Sequence, residues 1–349
     1  MTKDLTQGSP VRLILGFALP LLAGMLFQQL YNLVDTLIVG RFLGMEALAG
    51  VGATGSINFL VLSSVLNVIL DLAFILIFKL GVLGASLATV LSQAISGLLC
   101  LLFIAMKVPI LHISRQEWRL QSKRMTELCA YGVPMGLQYS ITAIGSVILQ
   151  VAVNSLGSLS VAAVTAASKV LNFLACPFDA LGSTMATYGA QNVGASRYDR
   201  LNKGLYSASL MGFGYSVLAL AVAWFFGRSL TGLFISGESS EQLVELAQTY
   251  MVTNVVAYPL LTLVNVVRFM IQGMGFSMFA ILAGVMEMVA RSLAGVFLVP
   301  AMGFFGAALG SPLAWVAADI FLVPAYFRCR RVLMSQSHHL HVSAEEKKA

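Results

Sequence analysis

The chain has 349 residues, 58% of them hydrophobic and only 10% charged, with a mean hydropathy of +0.86. Soluble domains carry roughly 25% charged residues, so this composition excludes an ordinary water-soluble fold and points to lipid as the solvent. The formal charge of +6 does not mark a nucleic-acid surface: Lys107, Arg115, Arg119, Lys123 and Arg124, then Arg197, Arg200 and Lys203, then Arg328, Arg330 and Arg331 sit between apolar segments, the pattern of cytoplasmic loops.

Apolar runs broken by Gly, Pro and charge predict an all-α, polytopic membrane protein of about nine hydrophobic helices, since backbone groups in lipid must be satisfied within each segment. The first helix is expected over residues 12–41. Its basic flank imitates a signal peptide, but the apolar run continues to about Gly40, too long for such a segment. Further helices are expected over 53–80, 84–106, 125–156, 160–188, 200–232, 243–273, 276–300 and 304–332, followed by a polar tail holding His338, His339 and His341. Cys100, Cys129, Cys176 and Cys329 form no CxxC pair and have no adjacent His, so they read as small apolar side chains.

The chain contains an internal repeat, as duplicated transporters do. The segment LPLLAGMLFQQLYNLVDTLIVGRFLGMEALAGVGA aligns with VPMGLQYSITAIGSVILQVAVNSLGSLSVAAVTAA, with Pro134 lying 114 residues after Pro20 and Ala162 lying 113 after Ala49. GVLGASLATVL from Gly81 aligns with GFFGAALGSPL from Gly303, and there Gly306 lies 222 residues after Gly84. A duplication should hold one offset. The difference between 113 and 222 means that the first half lacks 109 residues present in the second, about three to four helices' worth, with the join between Ala53 and Gly81. The charge pattern agrees. All basic stretches stay on one side if residues 53–80 fail to cross, as a re-entrant or distorted hairpin; if they cross, the N-terminus lies opposite the basic loops. The expected divisions are a truncated first lobe (1–110), a basic cytoplasmic linker (111–124), a six-helix second lobe (125–333) and a polar cytoplasmic tail (334–349).

Charges inside membrane helices are costly unless paired, hydrated or ion-bound. Asp35, Asp71, Glu287 and Arg291 stand out. Asp71 follows Asn67 by four residues, so both project from one helix face and offer oxygens to a sodium or proton site. The structural alternative is that Asp35 pairs with a donor such as Arg41, and that Asn67 and Asp71 make interhelical hydrogen bonds. Glu287 and Arg291, also four apart, read first as a mutually neutralising pair. Asp179 and Asp319 are placed near helix ends, at the interface, and Arg268 is expected to snorkel there. Sixteen Met residues with Phe, Tyr and Trp would suit a tolerant ligand chamber, without singling out substrate contacts. Gly24, Gly136, Gly145 and Gly182 read as sites of close helix packing or hinges. There is no GxxxxGK[ST] loop for directly ATP-driven transport. Nor does a nucleophile with its base, or a cluster of metal ligands, suggest an enzyme; the one His before the tail is His112, near a loop.

The segments ALPLLAGMLFQQLYNLVDTLIVGRFLG, SVLNVILDLAFI, GVLGASLATVLSQ, YGVPMGLQYS and YGAQNVGASRYDRLNKG occur in the order found in the multidrug and toxic compound extrusion (MATE) transporters, which the chain resembles from about Val11 to Leu333. The resemblance implies two six-helix lobes around a central cavity that opens alternately to each side, with cations exchanged inward for drugs or dyes outward. It implies a cation site for Na+ or H+ at Asp35, Asn67, Asp71 and Thr89. Another branch carries a helix-seven Glu where this chain has Thr142, so no second-lobe carboxylate site is implied. Family members continue from GSINFLVLS through further helices, whereas here Leu62 or Ser63 runs directly into SVLNVILDL, the same gap that the repeat reveals.

The expectation is therefore a cation-coupled antiporter exporting drugs or other small organic cations. Its partners would be the substrate, a monovalent cation and membrane lipid, without nucleic acid or a cofactor. It is expected to be a monomer in the plasma membrane, with the N-terminus and basic loops in the cytoplasm. The alternatives are a non-transporting, internally deleted remnant, or a flippase for lipid-linked substrates, which would want a more cationic central cavity.

Overall fold

The computed structural model describes residues 4–43, 61–107, 121–232, 234 and 240–346, and every regular element among them is helical. The chain divides into a small unit, Leu21–Met125, and a large unit formed by Met1–Pro20 with Thr126–Ala349. Helix α1, Pro10–Leu43, starts with proline in its first turn, where a missing N–H costs nothing.

In the small unit, α2 (Val61–Leu72) runs into a π turn, Ala73–Ile77, closed by the Phe78 N–H on the Ala73 carbonyl at 3.0 Å. The chain then reverses through Lys79, in the left-handed region at φ 53°, into α3 (Gly81–Lys107). Gly84 permits this return: a Cβ there would lie 3.1 Å from the Cβ atoms of both Phe74 and Leu80. The expected helix over 53–80 is thus represented by α2 and its π turn, and residues 53–60 lie outside the described set. The described part would extend about 25 Å, short of a hydrocarbon core of roughly 30 Å.

The large unit contains α4 (Ser122–Asn154, whose first residues belong to the small unit), α5 (Ser158–Gly194), α6 (Asp199–Gly232), α7 (Ser240–Val256) and α8 (Tyr258–Gly273). Helix α9 (Ser277–Leu293) continues through a π turn (Ala294–Leu298) into α10 (Val299–Met302), and α11 (Phe304–Ala308) and α12 (Gly310–Glu346) complete the unit. The single helix expected over 243–273 is two, bent by 50°. Pro259 sits in the first turn of α8; it has no N–H and its ring clashes with the carbonyl four residues back, so the helix must restart. Helix α12 runs on to Glu346, through residues expected to form a tail.

Six helical stretches among the described residues are long and apolar enough to cross a membrane, seven if the bent pair is one span. The apolar stretches Leu66–Ile75 and Ser86–Leu99 are shorter, so the described residues do not supply nine full spans.

Small residues set the helix spacing in the large unit. A Cβ on Gly273 would fall 2.2 Å from the Ala186 carbonyl oxygen, and one on Gly212 would fall 2.2 Å from Thr262 Cγ2, so α5 meets α8, and α6 meets α8, nearly backbone to side chain. Gly145 and Gly182 are also close-packed, against Met288 and Phe269, whereas Gly24 and Gly136 face nothing within 4 Å among the described residues. Between these crossings Phe178 packs edge-on against Tyr215 and Tyr258, at ring-centre distances of 5.2 and 5.1 Å. The two phenols donate to the carbonyls of Leu174 and Leu171 at 3.1 and 3.2 Å, so neither hydroxyl is left unsatisfied.

The first 20 residues cluster with the large unit, whereas the sequence places them in the first lobe. The cause lies in the segment before α1. Leu5 is fully buried, its N–H donates to Gln191 Oε1 at 2.7 Å, and Asn192 donates to its carbonyl at 3.3 Å. Arg200 donates to the Gly8 carbonyl at 2.7 Å. The hydroxyl and N–H of Thr6 donate to Asp4 Oδ1 at 2.6 and 2.8 Å, which holds the Asp4 carboxyl below its ordinary range.

Candidate functional sites in the two units

The small unit assembles three of the four residues expected to hold a cation. Asn67 and Asp71 lie one turn apart on α2 and are both fully buried, and Thr89 on α3 is 6% exposed. The Asn67 side-chain amide donates to Thr89 Oγ1 at 3.3 Å, joining the two helices across the reversal at Lys79. This places a carboxylate, an amide oxygen and a hydroxyl in one buried neighbourhood, an all-oxygen set of the kind that suits a hard monovalent cation or a proton. Asp35 lies in α1, and its side chain is outside the described residues. Groups of three or more His, Cys, Asp or Glu that could hold a metal do not occur among the described residues.

The large unit contains a buried charge cluster that the sequence discloses only in part. Arg291 Nη2 lies 3.3 Å from Glu287 Oε2, the expected pair on α9. The other oxygen of Glu287 is taken by Arg268 of α8, which does not snorkel: it is 6% exposed and hydrogen-bonded to that carboxylate. The reason is physical. A guanidinium held between packed helices cannot reach the headgroups, and a carboxylate shared by two arginines is the nearest neutralising partner. Arg291 also donates through Nη1 to the Thr142 carbonyl at 3.4 Å.

Asp179 and Asp319 likewise lie inside α5 and α12, away from the helix ends. Asp179 accepts from Asn265 at 3.4 Å, and Asp319 is 8% exposed with no hydrogen bond to either oxygen among the described residues. Gln272 of α8 donates to Gln138 of α4 beside this cluster. Lys169, half-buried on α5, makes no ion pair among the described residues and was not singled out by sequence; a lone Lys in an apolar helix was the available signal.

A cavity of about 390 Å³ opens among α4, α5, α7, α8, α9 and α12. Tyr250, Tyr258 and Trp315 form aromatic walls, Gln150 and Asn172 supply amides, and Arg291 is the one charged group among its sixteen lining residues. This volume lies within the range of small-molecule sites, roughly 300–1,000 Å³.

Residues 134–298 match the MatE family model. The chain is 27% identical over 215 residues to the probable multidrug resistance protein YpnP of Bacillus subtilis, covering 61% of this chain and 45% of that protein. It is 23% identical over 188 residues to the probable multidrug resistance protein YoeA of the same organism, covering 52% and 41%. The chain therefore spans less than half the length of these curated relatives. Its fold is similar to that of MATE in complex with MaL6, with a TM-score of 0.81 and 17% identity over 96% of this chain and 100% of that one. It is also similar to an outward-facing multidrug resistance MATE family transporter (TM-score 0.80, 17% identity, 96% and 99% covered) and to a MOP superfamily transporter from Pyrococcus furiosus (TM-score 0.78, 16% identity, 96% and 98% covered).

Proposed function

We propose that this chain, whose residues 134–298 match the MatE family model, is a secondary transporter, a Na+- or H+-coupled antiporter exporting drugs or other small organic cations. The observation that carries the reading is the buried group Asn67, Asp71 and Thr89: a carboxylate in such a place needs a cation, a proton or a donor to stay. Asp35 completes the proposed site from α1. Binding of the cation on one side and of the substrate on the other would be mutually exclusive, so each leaves as the other arrives. The chain would sit as a monomer in the plasma membrane, with its N-terminus and basic loops in the cytoplasm and no nucleic-acid partner.

The test is efflux of a fluorescent cationic dye from cells lacking their own pumps. We expect export by the chain, and its loss in Asp35→Asn and in Asp71→Asn at equal membrane levels. Export that survives both substitutions would refute the coupling role.

A second reading, an internally deleted remnant that inserts but moves nothing, is favoured by one feature. The change of repeat offset falls beside α2, which has 12 residues before its π turn. Export that appears only after the missing helices are restored would decide for it.

A further inference from the structure

We propose that the cavity in the large unit binds an aromatic organic anion, with its carboxylate or sulfonate on Arg291 and its ring against Tyr258 and Trp315. The site lies wholly in the large unit and does not depend on the coupling residues of the small one.

Charge decides the ligand's sign. Arg291 is the one charged group among the sixteen lining residues, and the other polar lining groups are hydroxyls, amides, an indole and phenols, which are neutral. No carboxylate is among these sixteen residues. The guanidinium is 7% exposed as a residue and is held by two contacts away from the cavity, to Glu287 Oε2 at 3.3 Å and to the Thr142 carbonyl at 3.4 Å. Glu287 is shared with Arg268, so Arg291 has only one of its oxygens, at 3.3 Å, while Asp319 acts on Arg268. A fixed, desolvated guanidinium is a strong and oriented partner for a planar oxyanion.

The walls decide the ligand's shape. Tyr258 and Trp315 lie with ring centres 6.1 Å apart, tilted by 54°, and Tyr250 lines the same cavity. Such surfaces take an aromatic ring by stacking or edge contact. Asn172 and Gln150 can bond the second oxygen of a carboxylate or a ring substituent. An organic cation would meet Arg291 with like charge, so this site selects against the cargo proposed above.

The experiment is equilibrium dialysis of 2-naphthoate against the purified full chain in detergent micelles, with empty micelles as the blank, beside the neutral isostere 2-naphthamide and the small anion acetate. We expect saturable binding of naphthoate, at least tenfold weaker binding of naphthamide, and at least tenfold weaker binding of acetate. Arg291→Gln should weaken naphthoate at least tenfold, and Arg291→Lys should restore part of the loss. Because Arg291→Gln could disturb the fold, Ala175→Phe serves as an independent variant: it fills the cavity and leaves the charge cluster intact, and it should also weaken naphthoate at least tenfold. Equal binding of naphthoate and naphthamide, or naphthoate binding unaffected by Ala175→Phe, would overturn the proposal. Equal binding of acetate would overturn its aromatic part.

Discussion

Replacing Glu287 by Gln tests whether the charge cluster holds the large unit together. The carboxylate is almost wholly buried, with a side chain 3% exposed, and it accepts from Arg268 of α8 and Arg291 of its own helix. The amide keeps the shape but removes the charge, leaving two buried guanidiniums without their shared counterion. Breaking a buried pair in this way costs about 3–5 kcal/mol. At about 2–4 °C per kcal/mol for a cooperative unit of this size, the melting temperature should fall by about 6–20 °C. The assay is thermal unfolding of the purified chain in detergent, followed by a thiol-reactive dye at the buried Cys176 and Cys329. The double variant Glu287→Gln with Arg268→Met separates the pair from simple packing. It should recover part of the loss, since it removes one of the two stranded charges, with a coupling of about 0.5–3 kcal/mol. An unchanged melting temperature in Glu287→Gln, or strictly additive losses in the double variant, would refute the reasoning.

Three further outcomes are expected. Asp319→Leu should leave the melting temperature unchanged or raise it, because neither carboxylate oxygen has a hydrogen bond among the described residues and a buried carboxylate without bonds is destabilising; a fall beyond about 5 °C would show that its attraction to Arg268 outweighs its desolvation. Leu5→Ala should cost about 2–5 kcal/mol of docking for the N-terminal segment, seen as faster amide exchange at residues 4–9 with little change in α6, and equal exchange would contradict it. Gly273→Ala should destabilise by about 1–3 kcal/mol because its Cβ meets the Ala186 carbonyl oxygen, while Gly136→Ala, facing open space among the described residues, should be neutral or stabilise by up to about 1 kcal/mol in the same unfolding assay.

These contrasts show what a sequence can disclose about a membrane fold. Helix after helix was legible because apolar length is a local property. The bend at Pro259 was legible in principle, since proline in a helix has one mechanical consequence, but an apolar run read by hydropathy conceals it. The π turns at Ala73–Ile77 and Ala294–Leu298 left no such mark. Within the charge cluster, the four-residue spacing of Glu287 and Arg291 announced their pairing, whereas Arg268 lies 19 residues from Glu287 on another helix, a contact that only packing creates. A sign rule would have found it: an Arg amid apolar residues needs a buried anion when the headgroups are out of reach. Composition suited a ligand chamber, but the position of the aromatic cavity had no signature, because its walls come from six helices.

The candidate cation site shows how geometry can survive the change in repeat offset. Asn67 and Asp71 share a face because four residues separate them on one helix, whatever precedes that helix. Thr89 reaches them because the chain reverses within a few residues, through the π turn and Lys79, and because Gly84 lets α3 lie close against Phe74. All three positions are thus set by a single helical hairpin of residues 61–107, and the 3.3 Å bond from Asn67 to Thr89 is made inside it. Asp35 is different: it belongs to a separate helix, and its approach to the hairpin depends on how neighbouring helices pack. If helices are missing from the first lobe and matter for coupling, they act through Asp35 and not through the hairpin. Restoring them should then leave the environment of Asp71 unchanged while altering that of Asp35, which carboxylate labelling by a carbodiimide at the two positions would distinguish. A parallel change at both would mean that the hairpin, too, depends on what surrounds it.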